Sequence, residues 1–500
     1  MFAAESVPAL QIIVPILPEI GLLILLLLVL ALDLFTRPAR RRSLGVIAGV
    51  GTLVVLAANL AVGLLTVSDP AFAGPALGGM IRYDMLALIF RTMVLAAGAL
   101  TCFIALDYAG VGRSGEFYAI LIVATMGMSL MSAAADLIMV FLALETTSIS
   151  LYVLAGFLRD SRRSTEAGIK YYLFGAFTSG LLLYGLSLLY GFTGSTNIYT
   201  LAGPLSDLLT GGAEGTFALV LALLMILGGF AFKVAAVPFH FWTPDVYEGA
   251  PTPVTAFLST ASKAASFALL ARLFQAVWPT EAAVYWMGLV AAISVITMTL
   301  GNVLALVQHN IKRMLAYSSI AQAGYALMGI VALNQSEIGI AAVAFYMFMY
   351  VFTNIMAFTV VIIVSSAIGS DDIKDFAQLG RRAPYLALGM VLALLSLGGV
   401  PPLAGFFGKF FLFAAAVDAG YTWLAIVGVV NAIIGLYYYL TVIKVMYVDA
   451  SEDMSRIRVA PAYVLVLMIT GAAILLMGTL AGPWWRWAVD AAASLVVALP

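Results

Sequence analysis

Long apolar runs, each of about 20 residues, recur along this 500-residue chain and constrain its fold more than any other feature. Runs of this length suit α-helices that cross a bilayer, whereas the strands of a membrane barrel are about ten residues long and alternate in polarity. With 63% hydrophobic and only 10% charged residues, a soluble fold could not bury so much apolar surface. The sequence therefore predicts an all-α polytopic membrane protein.

The lengths of the apolar runs predict about 14 transmembrane spans. We place them at residues 16–35, 43–67, 84–106, 115–133, 135–157, 167–191, 216–238, 251–276, 282–306, 311–332, 337–367, 384–416, 420–447 and 460–481. Lys and Arg cluster in five connecting loops, at residues 37–42, 159–163, 311–313, 371–382 and 455–458. If successive spans alternate in direction, all five clusters lie on one side. The positive-inside rule makes that side cytoplasmic and puts both termini outside.

Two predicted spans are interrupted by proline. Pro238 falls in the seventh span, and Pro401 and Pro402 fall in the twelfth. Each proline removes a backbone donor and clashes with the preceding turn, so each break frees carbonyl groups that protein or water must satisfy. The breaks lie five spans apart, which predicts two inverted five-helix repeats. The predicted regions are 1–106 (spans 1–3), 115–276 (first repeat), 282–447 (second repeat) and 460–500 (last span and tail).

Four ionisable residues fall deep inside predicted spans: Glu145, Lys233, Lys263 and Lys409. A charge at the bilayer centre costs at least about 2.5–3.5 kcal/mol, so each of the four is expected to have a function. A buried lysine whose protonation depends on its distance from a carboxylate can carry protons in a switchable way. One acid with three amines suits a proton chain. It suits a metal site poorly, because metals need clustered carboxylates, histidines or thiolates.

Further polar residues are secondary candidates for the same path. Lys170 lies near the cytoplasmic end of the sixth span, where it either joins the path or snorkels to the surface. His240 follows the first break and either relays protons or caps a loop. Tyr317 and Gln322 belong to a polar stripe of the tenth span that could hold water between the two halves.

Three other charges in or near spans have a simpler interpretation. Arg91, Arg272 and Lys444 are expected to be structural ion pairs or snorkelling side chains. Around Glu145, by contrast, the helical face is polar, because Ser148 and Tyr152 lie three and seven residues further along the chain. Both side chains thus fall on the helical face of Glu145.

Three stretches resemble the antiporter-like membrane subunits of respiratory complex I, the proton-translocating NADH:quinone oxidoreductase. They are "FKVAAVPFHFWTPDVYEGAPTPVTAFLSTASKAASFA" (232–268), "NIKRMLAYSSIAQAGY" (310–325) and "PPLAGFFGKFFLF" (401–413). Among these homologous subunits, the chain is most similar to the N type, the bacterial counterpart of mitochondrial subunit 2. The resemblance covers nearly the whole sequence.

The resemblance implies a role for each matching position. Glu145 and Lys233 would be the acid–lysine pair of the first half-channel, Lys263 the bridging lysine and Lys409 the lysine of the second half-channel. Lys170 matches a lysine of the sixth helix in the family. The family often has histidine where Gln322 stands, so here the connection between the halves would depend more on water and Tyr317.

The resemblance also implies cofactors, partners and a location. This chain would hold no cofactor, while NADH, FMN, iron–sulfur clusters and quinone would be bound by partner subunits. Neighbours would be the M-type subunit, the small K- and J-type subunits and the lateral helix of the L-type subunit. The location would be the bacterial inner membrane, with both termini periplasmic. Two alternatives stay open, a subunit of a multi-subunit sodium/proton antiporter and a scaffold without pumping activity.

Overall fold

The computed structural model describes residues 13–37, 40–68, 74–451 and 455–496. Both chain termini lie outside the described residues; they belong to the predicted regions 1–106 and 460–500. The prediction that the termini lie on the outer side of the membrane therefore concerns residues that the structure does not describe. Thirteen described helices are long and apolar enough to cross a membrane. The predicted all-α polytopic membrane fold is thus confirmed.

The described residues form 19 α-helices and one two-stranded sheet. The helices of the first part of the chain are α1 (Leu17–Phe35), α2 (Arg42–Ser68), α3 (Met85–Ala105), α4 (Gly115–Ala133), α5 (Leu137–Ala155), α6 (Arg162–Thr193), α7 (Ala202–Thr210), α8 (Ala213–Val234), α9 (Trp242–Gly249) and α10 (Thr252–Val277). Those of the second part are α11 (Ala283–Leu306), α12 (Ile311–Val331), α13 (Gly339–Ile368), α14 (Leu379–Arg382), α15 (Pro384–Gly398), α16 (Ala404–Asp418), α17 (Thr422–Tyr447), α18 (Pro461–Thr479) and α19 (Ala481–Val496). Strands β1 (Gly74–Ala76) and β2 (Ile81–Tyr83) pair antiparallel between α2 and α3.

Both predicted breaks are present, and the first, over residues 235–241, includes Pro238. The seventh span was expected to end at residue 238, whereas α8 ends at Val234. Ala235 then adopts a left-handed conformation with φ 62°, and the chain resumes as α9. The residue before a proline avoids the helical region, so the helix ends before Pro238 is reached. Lys233 therefore lies in the last helical turn and not in the middle of the span.

The second break separates α15 from α16 at residues 399–403. The chain turns at Gly399, whose φ of 82° favours glycine. Gly405 is also required here, because a Cβ atom on it would lie 1.7 Å from the backbone oxygen of Ser396. Each half-helix has only 15 residues, so the two together make the twelfth span.

Polar side chains fix where several helices begin. Asp84 accepts a hydrogen bond from the Ala87 amide at 2.8 Å, and Asn310 accepts bonds from the amides of Lys312 and Arg313. Such N-caps satisfy amides that have no partner within the helix. Because α12 begins at this cap, its polar residues point in a fixed direction relative to α10.

The core is built around four helices that are buried along nearly their whole length. In α3 and α10 the most apolar stretch is completely buried, and in α12 and α13 it is 94% buried. The helices α1, α2, α17 and α18 surround them and bury between 33% and 39% of theirs. Lys263 on α10 and Gln322 on α12 are consequently enclosed by other helices and shielded from lipid.

Candidate functional site

The first part of the site joins α5 to the end of α8. Lys233 is buried, and its Nζ donates a hydrogen bond to Oγ of Ser148. Oε1 of Glu145 accepts a bond of 2.6 Å from Ser179 on α6. Within the described structure Lys233 and Glu145 form no ion pair shorter than 4.0 Å, yet the two charges are close enough to interact electrostatically. Ser148, one helical turn after Glu145, therefore faces Lys233.

Aromatic rings enclose the Lys233 ammonium group. Its Nζ lies 5.9 Å from the centre of the Tyr152 ring and 5.5 Å from that of Phe232. The Tyr152 phenol occupies space left by Gly175, where a Cβ atom would lie 1.8 Å from the hydroxyl oxygen. Ring faces attract cations, so this wall stabilises a charged lysine without forming an ion pair.

The first break is closed by side chains from neighbouring segments. The Val237 amide donates to Oγ1 of Thr297 on α11 at 3.0 Å, and Nε1 of Trp242 donates to the backbone oxygen of Phe232 at 3.2 Å. His240 is buried in this turn, and its Nδ1 has no hydrogen-bond partner among the described residues. Backbone groups freed by the break are therefore satisfied inside the protein, as a membrane requires.

The central lysine contacts α12. Lys263 Nζ donates to the backbone oxygen of Ser319 at 2.5 Å. Oγ of Ser319 in turn bonds the hydroxyls of Tyr247 on α9 at 3.1 Å and Tyr350 on α13 at 2.8 Å. Four different helices thus meet at Ser319, and its hydroxyl joins those of Tyr247 and Tyr350 at the residue that Lys263 contacts.

The lysine of the second break fills the opening in the helix. Lys409 Nζ donates to the backbone oxygens of Leu397 at 2.8 Å and Gly398 at 3.2 Å. These carbonyls end α15 and have no partner in the helix. The ammonium group also lies 4.6 Å from the centre of the Tyr325 ring. A buried charge is thereby balanced by opened backbone and an aromatic face.

Gln322 connects this lysine to further hydroxyls. Its Nε2 donates to the backbone oxygen of Leu397 and to the hydroxyl of Tyr439, both at 3.1 Å. Its Oε1 accepts a hydrogen bond from Tyr346. Ser318 bonds the same Tyr439 hydroxyl at 2.5 Å. Gln322 therefore links the carbonyl that binds Lys409 to the hydroxyls of Tyr346 and Tyr439. The sequence alone did not assign this role to it.

A line of buried polar groups leads from Lys263 to Lys409. The rings of Tyr350, next to Lys263, and Tyr346, next to Gln322, stack 6.4 Å apart at an angle of 11°. Sequence reasoning missed these tyrosines because tyrosine in an apolar run resembles packing. Their spacing of four residues on α13 was the available signal. In the described part of the chain no hydrogen bond joins the Tyr346 and Tyr350 hydroxyls, and none joins Lys233 to Lys263.

Two secondary candidates lie apart from this line. Lys170 pairs with Asp245 at 2.6 Å and Glu166 at 2.8 Å in an ion network that also includes Arg313. Partial burial raises the pKa of Asp245, but hydrogen bonds from Lys170 and Arg313 outweigh it and hold that pKa below its usual value. Tyr317 is half-buried, and its hydroxyl bonds no other described residue.

The three remaining charges have the structural role that the sequence suggested. Arg91 pairs with Glu19 at 2.9 Å and Arg272 with Asp84 at 2.6 Å, and both arginine side chains are fully buried. The Lys444 side chain is 61% exposed and forms a surface ion pair of 2.7 Å. The buried pairs hold helices together, and neither contacts the line from Lys263 to Lys409.

Comparison with known sequences points to one family. The transmembrane family described as NADH:quinone oxidoreductase/Mrp antiporter matches residues 134–435, which include all four deep ionisable residues. The NADH-quinone oxidoreductase subunit N of Moorella thermoacetica is 44% identical over 467 residues, which cover 93% of this chain and 94% of that protein.

Comparison with solved structures gives two kinds of likeness. A chain of respiratory complex I from Thermus thermophilus has a TM-score of 0.77 and 32% identity, covering 94% of this chain and 98% of that one. A chain of the Mrp complex from Dietzia has a TM-score of 0.84 at 21% identity, covering 97% of both chains. The second likeness is one of fold alone. The Mrp chain has the higher TM-score, whereas the complex I chain has the higher sequence identity.

Proposed function

Since this chain belongs to the NADH:quinone oxidoreductase/Mrp antiporter family of transmembrane proteins, we propose that it is the proton-translocating membrane subunit of an NADH:quinone oxidoreductase. The identity of 44% to a subunit N favours this function over that of a sodium/proton antiporter subunit. The Mrp chain shares the fold at only 21% identity.

The observation that carries the proposal is the buried polar line from Lys263 to Lys409. It begins at the contact of Lys263 with Ser319 and ends where Gln322 and Lys409 share the Leu397 carbonyl. Burying amines in a membrane is costly, and stability alone would be served by apolar residues. Buried hydroxyls of Ser319, Tyr350 and Tyr346 lie between the two amines, and with bridging water they would supply the exchangeable groups that proton transfer requires.

The first half supplies the control of this transfer. In our proposal, redox chemistry in partner subunits changes the distance between Glu145 and Lys233. At an effective dielectric constant near 20, separating a charge pair from about 4 to 8 Å changes its energy by about 2 kcal/mol. That change is enough to release the proton of Lys233 toward Lys263. Water near His240 would bridge this step.

The proton then passes from Lys263 through the hydroxyls of Ser319 and Tyr350. Water would bridge the gap between the Tyr350 and Tyr346 hydroxyls and carry the proton on to Lys409, which releases it on the outer side, and reuptake comes from the cytoplasm. Lys170 is proposed to act at the cytoplasmic mouth through its ion network. Gln322 holds Tyr346 and Tyr439 in place, since an amide does not itself titrate at neutral pH.

The two halves are proposed to be inverted repeats over residues 115–276 and 282–447. Support comes from the two breaks, since each has a buried lysine in the adjoining half-helix. The two lysines do not hold equivalent positions, because Lys233 precedes its break and Lys409 follows the other. A buried lysine beside a broken helix would then occur once in each repeat.

Partners and cofactors follow from the proposed function. NADH, FMN, iron–sulfur clusters and quinone would be held by other subunits of the complex. The M-, K- and J-type subunits and the lateral helix of the L-type subunit would be the neighbours. The chain would lie in a bacterial inner membrane with both termini periplasmic.

The test is the substitution Lys409→Ala in the whole complex. Proton uptake into inverted membrane vesicles is measured with a fluorescent pH probe while NADH oxidation is followed. We expect proton uptake per NADH to fall while the complex stays assembled on a native gel. Lys444→Ala, at an exposed lysine, is the control and should pump normally. Unchanged pumping by an intact Lys409→Ala complex would refute the proposal.

A further inference from the structure

A deep groove runs between α15 and α18 on the cytoplasmic side of the molecule. Its volume is about 780 Å³, and Met356 of α13 forms part of its lining. Gly389 and Gly471 line it from the two helices, and a Cβ atom on Gly471 would meet only the Met356 methyl group, at 3.4 Å. The absence of side chains at these two positions therefore gives the groove its depth.

The walls of the groove are apolar and open to the bilayer. Tyr385 is 87% exposed, Leu388 51% and Met468 61%. The lining residues of α15, from Pro384 to Leu392, extend over about 12 Å along the helix. An apolar groove of this length, parallel to the helices, can hold the part of a lipid acyl chain that lies nearest the headgroup.

The mouth of the groove carries three arginines. Arg381 and Arg456 are exposed and form no ion pair with any described residue. Arg382 is buried, and its Nε donates to the backbone oxygen of Ser455 at 3.2 Å, which fixes the guanidinium. No acidic side chain lines the described groove. All three arginines belong to basic loops, which the positive-inside rule assigns to the cytoplasmic face.

We propose that this groove binds one anionic phospholipid of the cytoplasmic leaflet. Guanidinium groups bind phosphate oxygens in a planar, bidentate geometry, and basic residues beside a membrane helix attract anionic lipids. The arginines would hold the phosphate, and an acyl chain would lie on Met356 between Gly389 and Gly471. The exposed positive charges of Arg381 and Arg456 at the mouth favour an anionic lipid over a neutral protein helix.

Photoreactive lipids test this in the assembled complex. The complex is placed in phosphatidylcholine nanodiscs with a trace of either photoreactive phosphatidylglycerol or photoreactive phosphatidylcholine. Labelled peptides are then identified by mass spectrometry. We expect the phosphatidylglycerol probe to label residues 383–392 and 457–471 several-fold more than the phosphatidylcholine probe does.

Variants connect this preference to the groove. The double variant Arg381→Ala/Arg456→Ala should lose the preference, by about five-fold for each arginine. Arg458→Ala removes an exposed arginine of the same loop outside the groove and should keep it. Gly471→Leu should fill the groove and reduce labelling by both probes.

Three results would overturn the proposal. They are equal labelling by the two probes, loss of the preference in Arg458→Ala as large as in the double variant, and no labelling by either probe. The last result would mean that a neighbouring subunit covers the groove.

Discussion

Lys409 and Gln322 donate hydrogen bonds to the same carbonyl oxygen, that of Leu397, at 2.8 and 3.1 Å. The lysine comes from α16 and the glutamine from α12, so the opened end of α15 joins two otherwise separate helices. A buried carbonyl freed by a helix break can accept two such bonds. The break is therefore the place where the polar line of the second half is assembled.

Gln322→Leu should interrupt this line. The substitution removes the acceptor of the Tyr346 hydroxyl and one of the partners of Tyr439, and leaving a buried polar group unpaired costs about 1–3 kcal/mol. We expect proton uptake per NADH to fall several-fold. Gln322→His, which keeps a donor and an acceptor, should retain most of it. Equal pumping by the leucine and histidine variants would show that Gln322 does not belong to the path.

Gly399→Ala should disturb Lys409 directly. Its φ of 82° is unfavourable for alanine by about 1–2 kcal/mol. The new Cβ would also lie 3.0 Å from Cδ of Lys409. Gly420→Ala provides the matched control, because φ there is 80° and no atom lies within 4 Å of the new Cβ. Pumping should fall in the first variant only, measured at equal amounts of assembled complex.

Ser148→Ala should weaken the first half of the site. It removes the hydroxyl that accepts the hydrogen bond of Lys233, so the charged amine loses a partner inside the protein. Ser150 on the same helix bonds only the backbone oxygen of Thr146, and Ser150→Ala is the control. Proton uptake should drop several-fold in Ser148→Ala and stay normal in Ser150→Ala. A drop of equal size in both would point to a general effect on α5.

Arg272→Ala should affect stability rather than the proton path. Arg272 binds Asp84 through two hydrogen bonds, and breaking a fully buried pair leaves an uncompensated charge that costs about 3–5 kcal/mol. Thermal unfolding of the detergent-solubilised complex should occur at clearly lower temperature. Lys444→Ala breaks an exposed ion pair that contributes about 0–1 kcal/mol, so it should change the unfolding temperature little. Asp84→Asn combined with Arg272→Ala should recover part of the loss.

The sequence by itself determined the spans, the two breaks and the four deep ionisable residues. Hydrophobic runs, prolines and isolated charges are local signals, because their effect on a segment does not depend on which other segments pack against it. The first break does include Pro238, but the span before it ends a few residues earlier than predicted, because a helix can end before the proline that disrupts it. The roles of Arg91 and Arg272 were also correctly judged from position alone.

Only the tertiary structure decided which groups face each other. Arg272 and Asp84 are 188 residues apart, and Gln322 and Tyr439 are 117 apart, so no periodicity in the sequence relates them. Tyr346 and Tyr350 have the same local pattern as packing aromatics, and their hydroxyls acquire partners only when α12 and α13 meet. Hydrophobicity fixes whether a segment is buried. Hydrogen bonds between helices depend on rotations and depths that packing sets for the whole bundle at once.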